Sequence, residues 1–307
     1  MMVRKRQNVA KRDRTTTAST ANSPSVTSNA SAIDAVEPQV IGQASGQGNG
    51  QGSGTLGKAL DVLDIIAASP HPLRFTEILA RTRQPRATLH RQLTNLVHED
   101  LVKLHEDHTY SAGLRLLKLA ARSWSNNSLR SIASPHMEAL QAKTGETVHL
   151  GMLSGHEVIY IDKLESRQNV RMHSQVGNVS PLYCTGVGKA ILASMPRLKS
   201  DELVGQLDYQ RHTLATCHTP ELLAAELDTI RTAKGLAHDR EEHEPGIYCV
   251  AHGIVHEPSG TYAGVSATAP AFRLQGDTIN AWEGLVRDCA LAIEQDWADR
   301  LGPRAAQ

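Results

Sequence analysis

A chain of 307 residues is too long for one ordinary core and too short for three, which bounds it at two folded domains plus a tail. Zero formal net charge argues at first against a polyanionic partner, but the charge is segregated: residues 1–54 carry 6 Lys+Arg against 3 Asp+Glu, residues 55–130 carry 11 against 7, and residues 131–307 carry 15 against 22. A basic front on an acidic back suggests one region that meets an anion and another that does not. Cys184, Cys217, Cys249 and Cys289 form no CxxC pair and follow no secretory apolar stretch, so a reducing cytoplasm is expected, and no apolar run approaches the ~20 residues that cross a bilayer.

Residues 1–54 open with Arg4, Lys5, Arg6, Lys11, Arg12 and Arg14 and run through Ser/Thr/Ala into GQASGQGNGQGSG, which predicts a disordered basic tail ending in a flexible linker. From Thr55 the composition changes. Leu56, Leu60, Leu63, Ile66 and Ala67 recur at helical spacing until Ser69-Pro70. A second short helix is expected from about Thr76 to Thr82, with Thr76 as N-cap, then a tight turn at Arg83-Gln84, Pro85 where a first helical turn tolerates proline, and a third helix, ATLHRQLTNLVHED, with Leu89, Leu93, Leu96 and Val97 inward. The period then switches to two over Leu101–Leu104 and Thr109–Ser111, a hairpin. Helix, helix, turn, helix, hairpin is the order of a winged helix-turn-helix, assigned to residues 55–112, with a linker or dimerisation helix at 113–130.

Residues 131–302 read as a second domain of mixed type. Helices are expected at Pro135–Lys143, Gly186–Ser194, Asp201–Gln206, Pro220–Lys234 and Asp277–Trp297; strands at TVHLGML, EVIYIDK, IYCVAHGIVH and YAGVSATA, with VRMHSQ after the second. Strands joined by short turns imply a mainly antiparallel sheet with helices packed on it, an α+β sensor-like domain.

In a helix-turn-helix the third helix lies in the major groove, and its leucine stripe fixes which face looks out: Arg86, Ala87, Thr88, His90, Arg91 and Asn95. Arginine grips guanine O6 and N7, alanine or threonine meets a thymine methyl, and asparagine pairs with adenine. Lys103 and His105 on the hairpin, with Arg81 and Arg83, are expected at phosphates. Double-stranded DNA is therefore the expected partner.

RMHSQVGNVSPLYCTGVGKAILASMP at 171–196, GLAHDREEHEPGIYCVA at 235–251, YAGVSATAPAFRL at 262–274 and GTLGKALDVLDII at 54–66 together resemble the IclR family of bacterial regulators, along the whole chain from residue 54. The resemblance implies a homodimer or homotetramer on a palindromic operator and a GAF-like effector domain that binds a small organic acid. It implies that Gly186, Val187, Asp239, Cys249, Ser266 and Thr268 line the effector pocket. The VRMHS, PLYCTGVGKA and EEHEPGIYCVA wording is most similar to repressors of 2-keto-3-deoxygluconate and pectin-sugar catabolism; aromatic-acid or glyoxylate regulators, repressing or activating, are the alternatives. The residues fit an acid: the loop 182–189 leads into a helix start, where free N–H groups attract a carboxylate, and its GxGK string lacks the upstream glycine spacing of a nucleotide loop.

An enzyme is the first rival, since His149, His173, His238, His243 and His252 lie among acids and Cys249, but no HExxH appears and no metal, cofactor or catalytic group is expected. A ligand-binding scaffold whose winged helix holds protein is the second, and salt dependence separates it from a DNA binder.

Overall fold

The structure, a computed structural model, describes residues 54–168, 172, 174–274 and 276–301. The tail expected over residues 1–54 lies outside them but for Gly54. The chain divides into Met1–Lys58 and Ala59–Gln307, and of the first unit only the opening of helix α1 (Thr55–Ala67) is described. Within α1 the buried stripe is Val62, Leu63 and Ile66, whereas Leu60 is exposed.

Strand β1 (Leu73–Arg74) leads directly into α2 (Phe75–Arg81). Thr76 is not the cap. Arg74, extended because it pairs with Thr109, precedes the first turn, and its backbone N–H donates to Glu77 Oε2 at 2.7 Å. Pro85 likewise stands before α3 (Arg86–His98), as N-cap in extended conformation rather than inside the first turn. The wing is β2 (Val102–Leu104) and β3 (Thr109–Ala112), and β1 adds a third strand in the order β1-β3-β2. Val62, Ile66, Leu73, Ile78, Leu89, Leu93, Leu96 and Val102 make one small core.

Helix α4 (Leu114–Ser125) buries no residue, and α5 (Ser128–Thr144) follows at once. The expected start at Pro135 is corrected to Ser128. Asn127 Oδ1 accepts from Arg130 N and caps the helix there, and Leu129, Ile132 and Ala133 bury on the sheet before the proline is reached. Pro135 removes one ladder hydrogen bond in mid-helix, a loss that packing on both sides offsets.

The remaining elements are β4 (Thr147–Ser154), β5 (Glu157–Leu164), β6 (Val179–Pro181), α6 (Gly186–Ser194), α7 (Arg197–Val204), α8 (Pro220–Thr232), β7 (Leu236–Arg240), β8 (Ile247–His256), β9 (Thr261–Pro270) and α9 (Asp277–Leu301). Helix α7 begins at Arg197 rather than Asp201, because Pro196 sets its start and Gly205 ends it. Strand β6 is the third of the first half; Val170, Arg171 and His173 of VRMHSQ lie outside the described residues, and β7 was not expected at all.

All six strands pair antiparallel in the order β6-β5-β4-β9-β8-β7. Helices α5 and α9 cover one face, against Val148, Leu150, Val250, Ile254, Ala263 and Val265. Helices α6 and α8 cover the other, against Val158, Ala237, Cys249 and Ala251. The α+β expectation with a mainly antiparallel sheet holds. No helix among the described residues is long and apolar enough to cross a membrane.

Candidate functional site

Two regions carry the polar chemistry. The first is the outer face of α3. Leu89, Leu93 and Leu96 are buried, so Arg86, Ala87, His90, Arg91 and Asn95 stand exposed and Thr88 half-buried, one stripe along the rod. Lys103 is exposed on β2. His105 is half-buried just beyond β2, its Nε2 2.9 Å from Ser111 Oγ. Arg81 and Arg83 are exposed. Phe75 also belongs to this face: the Arg86 guanidinium carbon lies 5.0 Å above its ring centroid, and the His90 ring stands 6.3 Å away, tilted. Periodicity gave no sign of this, because Phe75 is on another helix. Gln92 is on the buried side, where neither amide atom finds a partner among the described residues.

The second region lies beneath the start of α6. Side chains alternate across a strand, so Asp239 of β7, Cys249 of β8, Ser266 and Thr268 of β9 and His149 of β4 all point from the sheet toward α6. Register brings them level: Asp239 pairs with Cys249, Cys249 with Thr268, and Ser266 with His149. Thr185 Oγ1 accepts from Gly188 N and caps α6. Gly186 then follows, where a Cβ would meet Cys249 Sγ at 2.9 Å and Asp239 N at 3.5 Å, so only glycine lets the helix start lie this close to both strands. Val187 packs over Gly151 and Gly264. The six residues implied for effector binding are thus brought together, and each is buried.

Their chemistry is mixed. Among the described residues Ser266 Oγ is buried and meets no hydrogen-bond partner but the weakly polar Cys249 thiol, which leaves the hydroxyl for a ligand. Asp239 Oδ1 accepts from Glu242 N at 2.8 Å, yet burial pushes its carboxyl up to about 7. Burial pushes the Cys249 thiol up to about 12, so it stays a neutral, weakly polar wall. His149 carries no charge: burial, then the Lys163 ammonium, holds it down to about 3. Its Nε2 lies 2.7 Å from Ser174 Oγ, its Nδ1 3.4 Å from Thr268 Oγ1, and its ring 4.9 Å from that of Tyr160. Reading the sequence missed His149 and Tyr160 as members of this site, although strict alternation from Thr147 would have placed His149 on the same face.

Lys189, one turn into α6, was also missed. It is the largest fully buried side chain, and its Nζ lies 2.5 Å from Glu242 Oε1 and 3.3 Å from Glu226 Oε1. Burial works against its charge, but the two carboxylates win and hold the ammonium above its usual range. Among the described residues no group of three or more His, Cys, Asp or Glu is arranged to hold a metal ion.

The two regions are bridged by the end of α4. Trp124 Nε1 donates to Ile161 O of β5 at 2.8 Å, and the Arg130 guanidinium carbon lies 3.4 Å above the Trp124 ring while its Nε meets Asp162 Oδ2 at 3.2 Å.

A helix-turn-helix with a wing, joined through one helix to an α+β domain with a polar buried site, defines the class: an effector-controlled, DNA-binding transcription regulator. The comparisons with known proteins agree. Residues 55–105 match the IclR helix-turn-helix domain, and residues 121–295 match the bacterial transcriptional regulator IclR C-terminal domain. The chain belongs to the IclR family of bacterial transcriptional regulators. It is 30% identical over 251 residues to the HTH-type transcriptional regulator KdgR of Dickeya chrysanthemi, covering 81% of each chain, and 28% identical to the transcriptional repressor IclR of Escherichia coli K12, covering 78% of this chain and 88% of that one. The crystal structure of the Thermotoga maritima IclR superimposes with a TM-score of 0.61 at 31% identity, over 78% of this chain and 97% of that one.

Proposed function

We propose that this regulator represses its target genes by holding a palindromic operator as a homodimer, or a pair of them, and releases it when a hydroxylated small organic acid of the 2-keto-3-deoxygluconate class binds. The domains are 55–112 for DNA, 113–130 for linkage and dimer contact, and 131–302 for the effector. Arg86, Ala87, Thr88, His90, Arg91 and Asn95 meet base edges, while Lys103 and His105 meet phosphates. One recognition helix reads only a few base pairs, and twofold symmetry doubles the site.

One observation carries the effector half: Ser266 Oγ, buried and with no partner among the described residues but the Cys249 thiol, sits level with His149 on the strand face that also bears Asp239, Cys249 and Thr268, beneath the first turn of α6. A sugar acid supplies a carboxylate for the helix N–H groups of Gly186 and Val187 and hydroxyls for Asp239, Ser266 and Thr268. The effector works by a population shift toward dimer geometries that mis-space the two recognition helices. The protein transmits a signal and turns over no substrate.

A thermal-shift screen of sugar acids, aromatic acids and glyoxylate tests this directly. A ligand at 100 times its dissociation constant adds ~2.7 kcal/mol to stability. A sugar acid is expected to raise the melting temperature of the parent chain and to leave Asp239→Ala unmoved. A response confined to aromatic acids or glyoxylate contradicts the ligand class.

A further inference from the structure

The helix-turn-helix opens its two helices side by side. Phe75 is the first residue of α2 and Arg86 the first of α3, and the guanidinium of the second lies against the ring of the first at 5.0 Å. His90, one turn along α3, adds its ring 6.3 Å from the phenyl, and Ala87 adds a methyl group. These four residues line an open hollow of about 510 Å³ on the face that the leucine stripe leaves outward.

Its chemistry is selective. Among the described residues its walls are mainly apolar, and the Arg86 guanidinium supplies a fixed donor. No carboxylate or amide oxygen of the described residues lines it, so the guanidinium matches the acceptors of guanine rather than the exocyclic amines that adenine and cytosine show in the major groove. Guanine shows two acceptors, and thymine an acceptor beside a methyl group. A guanidinium also loses rotamer freedom when it grips a base, and an aromatic face beneath it removes part of that loss in advance.

We propose that Phe75 is a specificity-determining residue of the DNA site: it holds Arg86 for a guanine, and the hollow between them seats the methyl group of the neighbouring thymine. The unit thus reads a thymine–guanine step. This rests on α3 being the DNA reader.

The full chain is used to select duplexes from a randomised pool, and affinities for the enriched duplex are measured with single-atom changes in the DNA. Replacing the thymine beside the Arg86-dependent guanine by deoxyuridine removes one methyl group and is expected to weaken binding about four-fold. Phe75→Leu keeps apolar bulk on the domain core but loses the aromatic face. It is expected to melt as the parent does and to lower the preference for guanine over adenine at that position by about two- to five-fold, and Phe75→Tyr is expected to restore it. Equal binding of thymine and deoxyuridine, or an unchanged guanine preference in Phe75→Leu, overturns the inference. An enriched duplex whose guanine preference ignores Arg86→Ala overturns it too while leaving α3 as reader through its other residues. A pool with no enriched sequence removes both.

Discussion

Replacing Lys189 by methionine tests whether the sensor domain depends on one buried cation. The side chain is wholly buried, and its ammonium is shared by Glu242 and Glu226 at 2.5 and 3.3 Å. Glu242 is itself buried, and among the described residues its second carboxylate oxygen finds no hydrogen-bond partner. Removing the cation leaves that carboxylate uncompensated, and breaking a buried pair from one side costs about 3 to 5 kcal/mol. At about 2–4 °C per kcal/mol for a domain of this size, calorimetry is expected to show a fall of roughly 6 to 20 °C at pH 7. Adding Glu242→Gln is expected to recover much of the loss at pH 7, a coupling that a double-mutant cycle reads directly. A deficit below about 1 kcal/mol, or no coupling in that cycle, refutes the reasoning.

Three further outcomes follow from neighbouring observations. Asp239, pushed by burial from 3.8 to about 7, binds a proton more tightly folded than unfolded, so its ionisation penalty is absent at low pH, grows as pH rises between those values, and stays above them; Asp239→Asn is expected to be more stable than the parent at pH 8, with the advantage shrinking toward pH 4, in paired melts. Gln92→Leu exchanges a buried amide with no partner for an apolar group in the winged-helix core and is expected to stabilise that domain by about 1 to 3 kcal/mol in denaturant titration. Trp124→Phe loses the hydrogen bond to Ile161 O; calorimetric effector affinity is expected to stay within about two-fold while the effect of effector on operator affinity, normally ~1–3 kcal/mol, falls toward zero.

What the sequence disclosed depended on how local the cause was. Helices α3, α6 and α8 could be read almost to the residue, because leucine spacing, Thr185, Pro220 and Gly186 act within one turn. Boundaries set by tertiary pairing were missed: Arg74 starts α2 because β1 pairs with β3, and α5 runs through Pro135 because both flanks bury on the sheet. Strand β7, LAHDR, hid because its three buried residues, Ala237, His238 and Asp239, show no apolar alternation, and an acid reads as surface until its strand partner is known. The residues named for the effector converge, yet the polar groups that surround them come together only in the fold: sheet register brings in His149 and Tyr160, and a buried ion pair joins Lys189 of α6 to Glu242 beyond β7.

The central claim is that the exposed stripe from Arg86 to Asn95 is pressed against duplex DNA. Fluorescence anisotropy of the full chain on its selected duplex, titrated with salt, tests it most directly. The account predicts affinity falling log-linearly by several decades for 6–10 phosphate contacts between about 50 and 200 mM salt, with Arg91→Ala losing about 1 to 3 kcal/mol of sequence preference. Binding that ignores salt, or an Arg91→Ala chain with undiminished preference, contradicts it.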